Sequence, residues 1–313
     1  MLLPANVVTY NDTTSNAVLT LFLAGIQAYF MAYPPAYYDV RPVSLQQYEV
    51  QLSNVPQPLL PGVSVNSYTQ SFPDFNVNFD VFSPSFTLPN AKLPLIFYIH
   101  GGGWLYDTNY SYYKFMSQMV LLHNARVVYI HYNLAPTVVY PGQIHECDHL
   151  LNYLLNNKAI YGFNDRVIIM GDSAGGNLAY HTAAKNLDEI DALILVSPVF
   201  DPTMSTPSYT EQALNIWLPA RAMALYWAEY QQNATVVISP LDIPTLLIIS
   251  DDDVLRDEDI TYAANDLENV QGVLYDGMVH DFFITGLDIP SVTDFTQRVS
   301  KFITHHTRNC GDE

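Results

Sequence analysis

Ser173 is the residue whose setting points most directly to chemistry. It lies in Gly171-Asp172-Ser173-Ala174-Gly175, after the β-branched apolar run Val167 to Met170 and before a segment from Asn177 with apolar residues at helical spacing. The order strand, tight turn, helix leaves a serine hydroxyl exposed above a sheet. Glycines two positions to either side let strand and helix pack closely around the turn. An activated serine oxygen attacks carbonyl carbon, so the chemistry in prospect is acyl transfer. The pentapeptide alone also fits an ordinary strand-to-helix turn, and its partners must decide.

Such a serine needs donors for the developing oxyanion, a base and an acid. The apolar run Leu95 to Ile99 ends in His100-Gly101-Gly102-Gly103-Trp104. Three consecutive glycines let backbone N–H groups point into a cavity without side-chain obstruction, which is what an oxyanion hole requires. Among nine histidines, His280 follows the apolar run Val273 to Tyr275 in a loop between Gly277 and Asp281. His305 and His306 also lie downstream of the serine, but in a tail that reads as solvated. Asp251, Asp252 and Asp253 follow the run Thr245 to Ile249 consecutively. Repulsion and desolvation prevent all three from being buried together as anions, and spacing leaves each open as the acid. The order Ser, Asp, His is the one expected of an elbow serine.

One motif points elsewhere. His145-Glu146-Cys147-Asp148-His149 fits HExxH, which on a helix puts two imidazoles on one face as zinc ligands. A third ligand is wanting: Glu189 and Glu211 lie in unrelated segments, and no further histidine extends the motif. An ordinary packing helix is the expectation, and no metal or other cofactor is called for.

The elements that must position these residues follow from periodicity. Residues 1–45 read as one or two helices broken at Pro34-Pro35, ahead of any strand. Val63 to Tyr68 and Val77 to Phe82 alternate as half-buried antiparallel strands do. Six runs apolar throughout then suggest strands covered on both faces: Leu95 to Ile99, Val127 to Ile130, Val167 to Met170, Ala192 to Val196, Thr245 to Ile249 and Val273 to Tyr275. Helical segments between most of them imply one doubly wound, mostly parallel α/β sheet with chemistry at the carboxyl ends of its strands. Pro202 to Pro240 breaks the alternation and reads as an insertion, helical over Pro219 to Gln231, with Trp217 and Trp227.

Composition narrows the function classes. The 313 residues are 49% hydrophobic and 14% charged, as in a globular protein that buries a large core. The formal charge of -19, with only 12 Lys and Arg, argues against nucleic acid or an anionic membrane surface as partner. Ala17 to Tyr33 is the one long apolar stretch. Its length of about 17 residues is at the short edge for a membrane span, and no basic residue precedes it, so a helix buried against the protein is expected. Cys147 and Cys310 cannot build a disulfide framework, and a soluble, cytoplasmic protein is the simpler reading. Sequons at Asn11, Asn109 and Asn233 leave secretion open.

Taken in order, HGGGW, then Tyr132-Asn133-Leu134-Ala135-Pro136, then GDSAGGN, then Asp253-Val254-Leu255-Arg256-Asp257-Glu258, then Gly277-Met278-Val279-His280 resemble the hormone-sensitive-lipase-like esterases of the α/β-hydrolase superfamily, in the branch whose serine lies in GDSAG. The resemblance runs from about Val63 to Ile303. It implies an α/β-hydrolase fold with a mostly parallel sheet of about eight strands, helices on both faces and a helical lid. The implied organisation is lid helices in 1–45, a catalytic core in 46–201 and 241–313, and a lid insertion in 202–240. The implied activity is hydrolysis of short to medium acyl esters by a monomer or homodimer, through an acyl-serine intermediate. Ser173, Asp253 and His280 fall on the catalytic positions, and the backbone N–H groups of Gly102, Gly103 and Ala174 on the oxyanion hole. Amide hydrolysis or transacylation on the same triad, and a small-molecule receptor that has lost catalysis, are the alternatives. The chain departs from the family at Thr137, where Glu is common, and at Asp281, where Gly is common. Tyr29, Phe30, Tyr33, Tyr37, Tyr38, Tyr209, Trp217, Tyr226 and Trp227 make the lid segments aromatic, as an apolar acyl pocket would require.

Overall fold

The computed structural model describes residues 3–32, 58–88, 90–107, 109–230, 238–239, 241–266 and 268–307. Its centre is a nine-stranded sheet, made of β1 (Val7–Tyr10), β2 (Val63–Ser71), β3 (Asn76–Pro84), β4 (Leu93–Ile99), β5 (Arg126–His131), β6 (Phe163–Asp172), β7 (Ala192–Val196), β8 (Thr245–Asp252) and β9 (Val270–Val279). The spatial order is β1-β9-β8-β7-β6-β4-β5-β3-β2. Only the pairings of β3 with β2 and with β5 are antiparallel. The eight expected strands are all present; β7 coincides with its expected run, and the others extend one to several residues beyond theirs.

The continuous apolar runs are explained by burial on two faces. In β4, Leu95, Phe97 and Ile99 belong to one hydrophobic cluster, and Ile96 and Tyr98 to the cluster on the opposite face. Among the helices that cover these faces are α1 (Thr13–Ala32), α2 (Tyr113–His123), α3 (Gly142–Asn156), α4 (Lys158–Tyr161), α5 (Ser173–Lys185), α6 (Pro207–Glu211), α7 (Ala220–Tyr230), α8 (Arg256–Asn265) and α9 (Pro290–Thr307). Strand β6 lies between β4 and β7 and carries α5 directly from its carboxyl end. The serine motif therefore sits in the middle of the sheet, beside the end of the strand that bears the glycine run.

Two readings of the amino terminus need correction. Val7–Tyr10 is a strand, not part of a helix, and it extends the sheet by pairing in parallel with β9, Val7 opposite Gly272 and Tyr10 opposite Tyr275. Four residues are too few to show a period, and the partner is at the other end of the chain. Ala17 to Tyr33 is helical through Ala32, but among its described side chains α1 is buried on one face and exposed on the other. Leu19 is buried while Leu21 is 75% exposed. Among the described residues no helix is long and apolar enough to cross a membrane. The Pro34-Pro35 break, the side chains of Tyr29, Phe30, Tyr33, Tyr37 and Tyr38, and Asn233 and Cys310 fall outside the described residues. Cys147 is a buried free thiol.

Candidate active site

Ser173 is the first residue of α5 and has a φ of 52°. A non-glycine residue at positive φ is strained, and a sharp strand-to-helix turn is where such strain is held in place by surrounding packing. That packing is specific. A Cβ on Gly175 would lie 2.2 Å from the Ile99 carbonyl oxygen and 2.3 Å from that of His100. The elbow helix thus rests on the backbone of β4 where the glycine run begins, so the two motifs are in contact. Ser173 is 5% exposed.

Beyond His100, the glycine run turns through positive φ at Gly102 (101°), Gly103 (58°) and Trp104 (62°). The turn closes with N–H groups of Leu105 and Tyr106 donating to the Gly102 carbonyl, each at 3.0 Å. Tyr226 of α7 lies over Gly103, where an added Cβ would come within 2.6 Å of the ring. The Tyr132-to-Pro136 segment supports this loop from behind. Tyr132 stacks on the His100 ring at 4.3 Å and donates its hydroxyl to the His100 carbonyl at 3.0 Å. The Ala135 N–H donates to the Trp104 carbonyl at 2.9 Å.

His280 follows β9 and is buried. Its Nδ1 lies 2.6 Å from Asp253 Oδ2, and Asp253 is itself 1% exposed. Asp253 Oδ1 accepts the Leu255 N–H at 3.1 Å. The neighbouring aspartates turn elsewhere. Asp251 faces the Arg256 guanidinium at 3.8 Å, and Asp252 accepts from Gln212 Nε2 at 3.3 Å. Contact with His280 therefore distinguishes Asp253 where spacing did not. Burial alone would lower the His280 pKa, but Asp253 on Nδ1 and Asp281, 3.1 Å from Nε2, outweigh it and hold the imidazole well above its usual range.

Asp172 lies beneath the serine, fully buried, and accepts hydroxyl hydrogen bonds from Tyr98 at 2.6 Å and Tyr112 at 2.8 Å. Burial and the nearby Asp281 charge raise its pKa well above the carboxylate range. Glu258 of α8 accepts the backbone N–H of Phe200 at 2.8 Å and of Asp201 at 3.2 Å, which ties α8 to the segment after β7. The two tyrosines carried no signal in the sequence, because aromatic residues beside apolar runs are read as core.

The HExxH segment is built into α3 as packing. Glu146 accepts the Asn133 backbone N–H at 2.7 Å and its side-chain amide at 2.8 Å, and His149 stacks on Phe75 at 5.6 Å. Among the described residues no group of three or more His, Cys, Asp or Glu is placed to hold a metal ion.

Residues 96–284 match the family model of the alpha/beta hydrolase fold. The chain belongs to this α/β-hydrolase family. Its motifs place it in the hormone-sensitive-lipase-like branch. It is 34% identical over 233 residues to an Acanthamoeba polyphaga mimivirus protein named for the same fold, a match covering 67% of this chain and 66% of that one. It is also 38% identical over 159 residues to neutral cholesterol ester hydrolase 1 of Bos taurus, covering 45% of this chain and 38% of the relative. With arylacetamide deacetylase of Bos taurus it shares 35% identity over 147 residues, 43% of this chain and 37% of the relative. The chain thus spans less than half the length of these two bovine relatives. In fold, this α/β hydrolase is similar to a thermostable esterase from Pseudomonas putida, with a TM-score of 0.76 at 22% identity over 87% of this chain and 92% of the other. Its similarity to a bacterial heroin esterase has a TM-score of 0.75 at 23% identity, over 87% and 93%.

Proposed function

We propose that this α/β hydrolase is a serine carboxylesterase acting on short to medium acyl esters. The observation that carries the reading is the buried 2.6 Å contact between His280 Nδ1 and Asp253, in a fold whose elbow serine is held at positive φ. Asp253 fixes the imidazole so that Nε2 is the edge available for proton transfer. His280 takes the Ser173 proton as Oγ bonds to the ester carbonyl carbon. The π electrons move to the carbonyl oxygen, where the N–H groups of Gly102, Gly103 and Ala174 stabilise the charge. Collapse breaks the bond to the alcohol, which leaves with the proton from His280. Water then cleaves the acyl-Ser173 intermediate by the same route. Each lost oxyanion donor is expected to cost about 3 kcal/mol of the barrier.

Substrate size is set by the lid segments in this proposal. Phe22 of α1 and Trp217 of the 202–240 insertion approach to 6.1 Å between ring centroids, so the two segments meet. Trp104 stacks on Tyr230 at 4.0 Å, and Tyr226 covers Gly103, which favours a compact acyl group. Hydrolysis of an aryl amide is the second reading, favoured by the similarity to arylacetamide deacetylase over 43% of the chain.

Turnover of p-nitrophenyl butyrate by the wild type, with Ser173→Ala, His280→Ala and Asp253→Asn beside it, tests the proposal. Loss of about 10³-fold or more in kcat is expected in each variant. Wild-type-like turnover in the serine or histidine variant refutes it.

A further inference from the structure

The residue after His280 places a second carboxylate against the imidazole, at the ring nitrogen that the proposed mechanism assigns to Ser173. Asp281 has a φ of 47° and is 4% exposed. Its Oδ2 lies 3.1 Å from His280 Nε2, opposite the 2.6 Å contact of Nδ1 with Asp253. Its Oδ1 is buried and accepts from no N–H group, and the Asp281 side chain lies against the Asp172 carboxyl. We propose that Asp281 is a positioning residue that holds the Nε2 proton of His280 in the free enzyme and so sets the pH above which the imidazole can serve Ser173. The inference rests on the assignment of Ser173, His280 and Asp253 to the reaction.

The charges around the ring define the direction. Asp253 faces it from the β8–α8 loop, Asp281 from its own loop, Asp259 from α8 and Asp172 from the end of β6. Glu258 interacts with Asp253 from α8, and the Tyr98 and Tyr112 hydroxyls face Asp172. The acids nearest the ring nitrogens are Asp253 and Asp281, and an imidazole donating to a carboxylate from both nitrogens is most stable as the cation. Burial and the Asp253 charge raise the Asp281 pKa, while the imidazolium and a hydrogen bond shared with Asp172 favour its charged form. For catalysis the Nε2 proton must leave to solvent, because Nε2 then has to accept the Oγ proton of Ser173 as the Oγ–C bond forms. A carboxylate on Nε2 opposes that loss and competes with the serine for the same nitrogen.

Asp281→Asn removes the charge while keeping shape and tolerance of positive φ, and Asp281→Gly removes the side chain altogether. The test is the pH profile of kcat/KM for p-nitrophenyl butyrate in both variants, together with NMR titration of the His280 imidazole, assigned by its loss in His280→Gln. The acid limb and the imidazole titration are expected to move together by about 1 unit or more to lower pH in both variants. A merely structural role would lower the rate at every pH and leave the limb in place. An acid limb and an imidazole titration both unmoved in Asp281→Asn and Asp281→Gly overturn the inference. Absence of ester turnover and of Ser173 labelling would count against the catalytic reading alone, since the imidazole titration still reports whether Asp281 holds His280.

Discussion

The loop that carries the glycine run is pinned to the sheet by an ion cluster whose contribution to stability can be read by pH. His131, at the end of β5, pairs with Asp107 through Nδ1 and lies 3.2 Å from Asp80 through Nε2. Asp107 in turn stands 3.7 Å from His100 Nε2 and accepts the Tyr129 hydroxyl at 3.0 Å. Burial alone would lower the His131 pKa, but hydrogen bonds and charge from Asp107 and Asp80 raise it from 6.5 to about 9. Burial would raise Asp107, but His100 and His131 bring it from 3.8 to about 2. At 1.36 kcal/mol per unit the first shift is worth about 3 kcal/mol and the second about 2 kcal/mol. They report largely the same attraction, the first including Asp80, so it is counted once. With allowance for partial exposure, the cluster contributes about 2–3 kcal/mol.

The sign follows from the raised histidine. Its contribution is fully present below the unfolded pKa near 6.5 and is lost as pH rises through about 9. The perturbation is His131→Gln, and the assay is denaturant unfolding of both proteins at about pH 6 and about pH 10. Other groups titrate over this range in both proteins, so the informative quantity is the difference of differences. The wild type should lose roughly 2–3 kcal/mol more than the variant between the two pH values. Equal losses in the two proteins would refute the reasoning.

Two further outcomes follow from the site. Gly103→Ala would press a Cβ to within 2.6 Å of the Tyr226 ring at a φ of 58°, so kcat for p-nitrophenyl butyrate should fall, and the double variant Gly103→Ala/Tyr226→Ala should recover part of the loss. Glu146→Ala would leave the Asn133 backbone N–H without its acceptor and its side-chain amide with the Asn76 carbonyl alone. Unfolding should then show a loss of about 1–3 kcal/mol, while added zinc restores neither stability nor activity.

The elements legible from sequence are those whose signal is local. GDSAG, the glycine run and His280 each combine a chemical residue with an apolar strand just before it, and the sheet places all three at strand ends on one side of the fold. Asp253 was not separable from Asp251 and Asp252 by spacing, because adjacent aspartates differ only in where their side chains turn. Its contact with His280 is a tertiary fact, made between β8 and β9. Strand β1 is illegible for the same reason, since Val7 pairs with Gly272 and four residues have no period of their own. Tyr98 and Tyr112 were illegible because a tyrosine in an apolar setting looks like core until its hydroxyl is seen on Asp172. The role of Glu146 was hidden inside a metal-like motif. Its partner, Asn133, belongs to a segment singled out only for its resemblance to relatives.

The central claim is that Ser173 is a nucleophile activated by His280. Mass spectrometry after exposure to an ester-mimicking p-nitrophenyl phosphonate tests it most directly. The account predicts one covalent phosphonyl adduct on the peptide containing Ser173, absent from Ser173→Ala and strongly slowed in His280→Ala. An unmodified Ser173 in folded wild-type protein, or labelling as fast in His280→Ala as in the wild type, would contradict it.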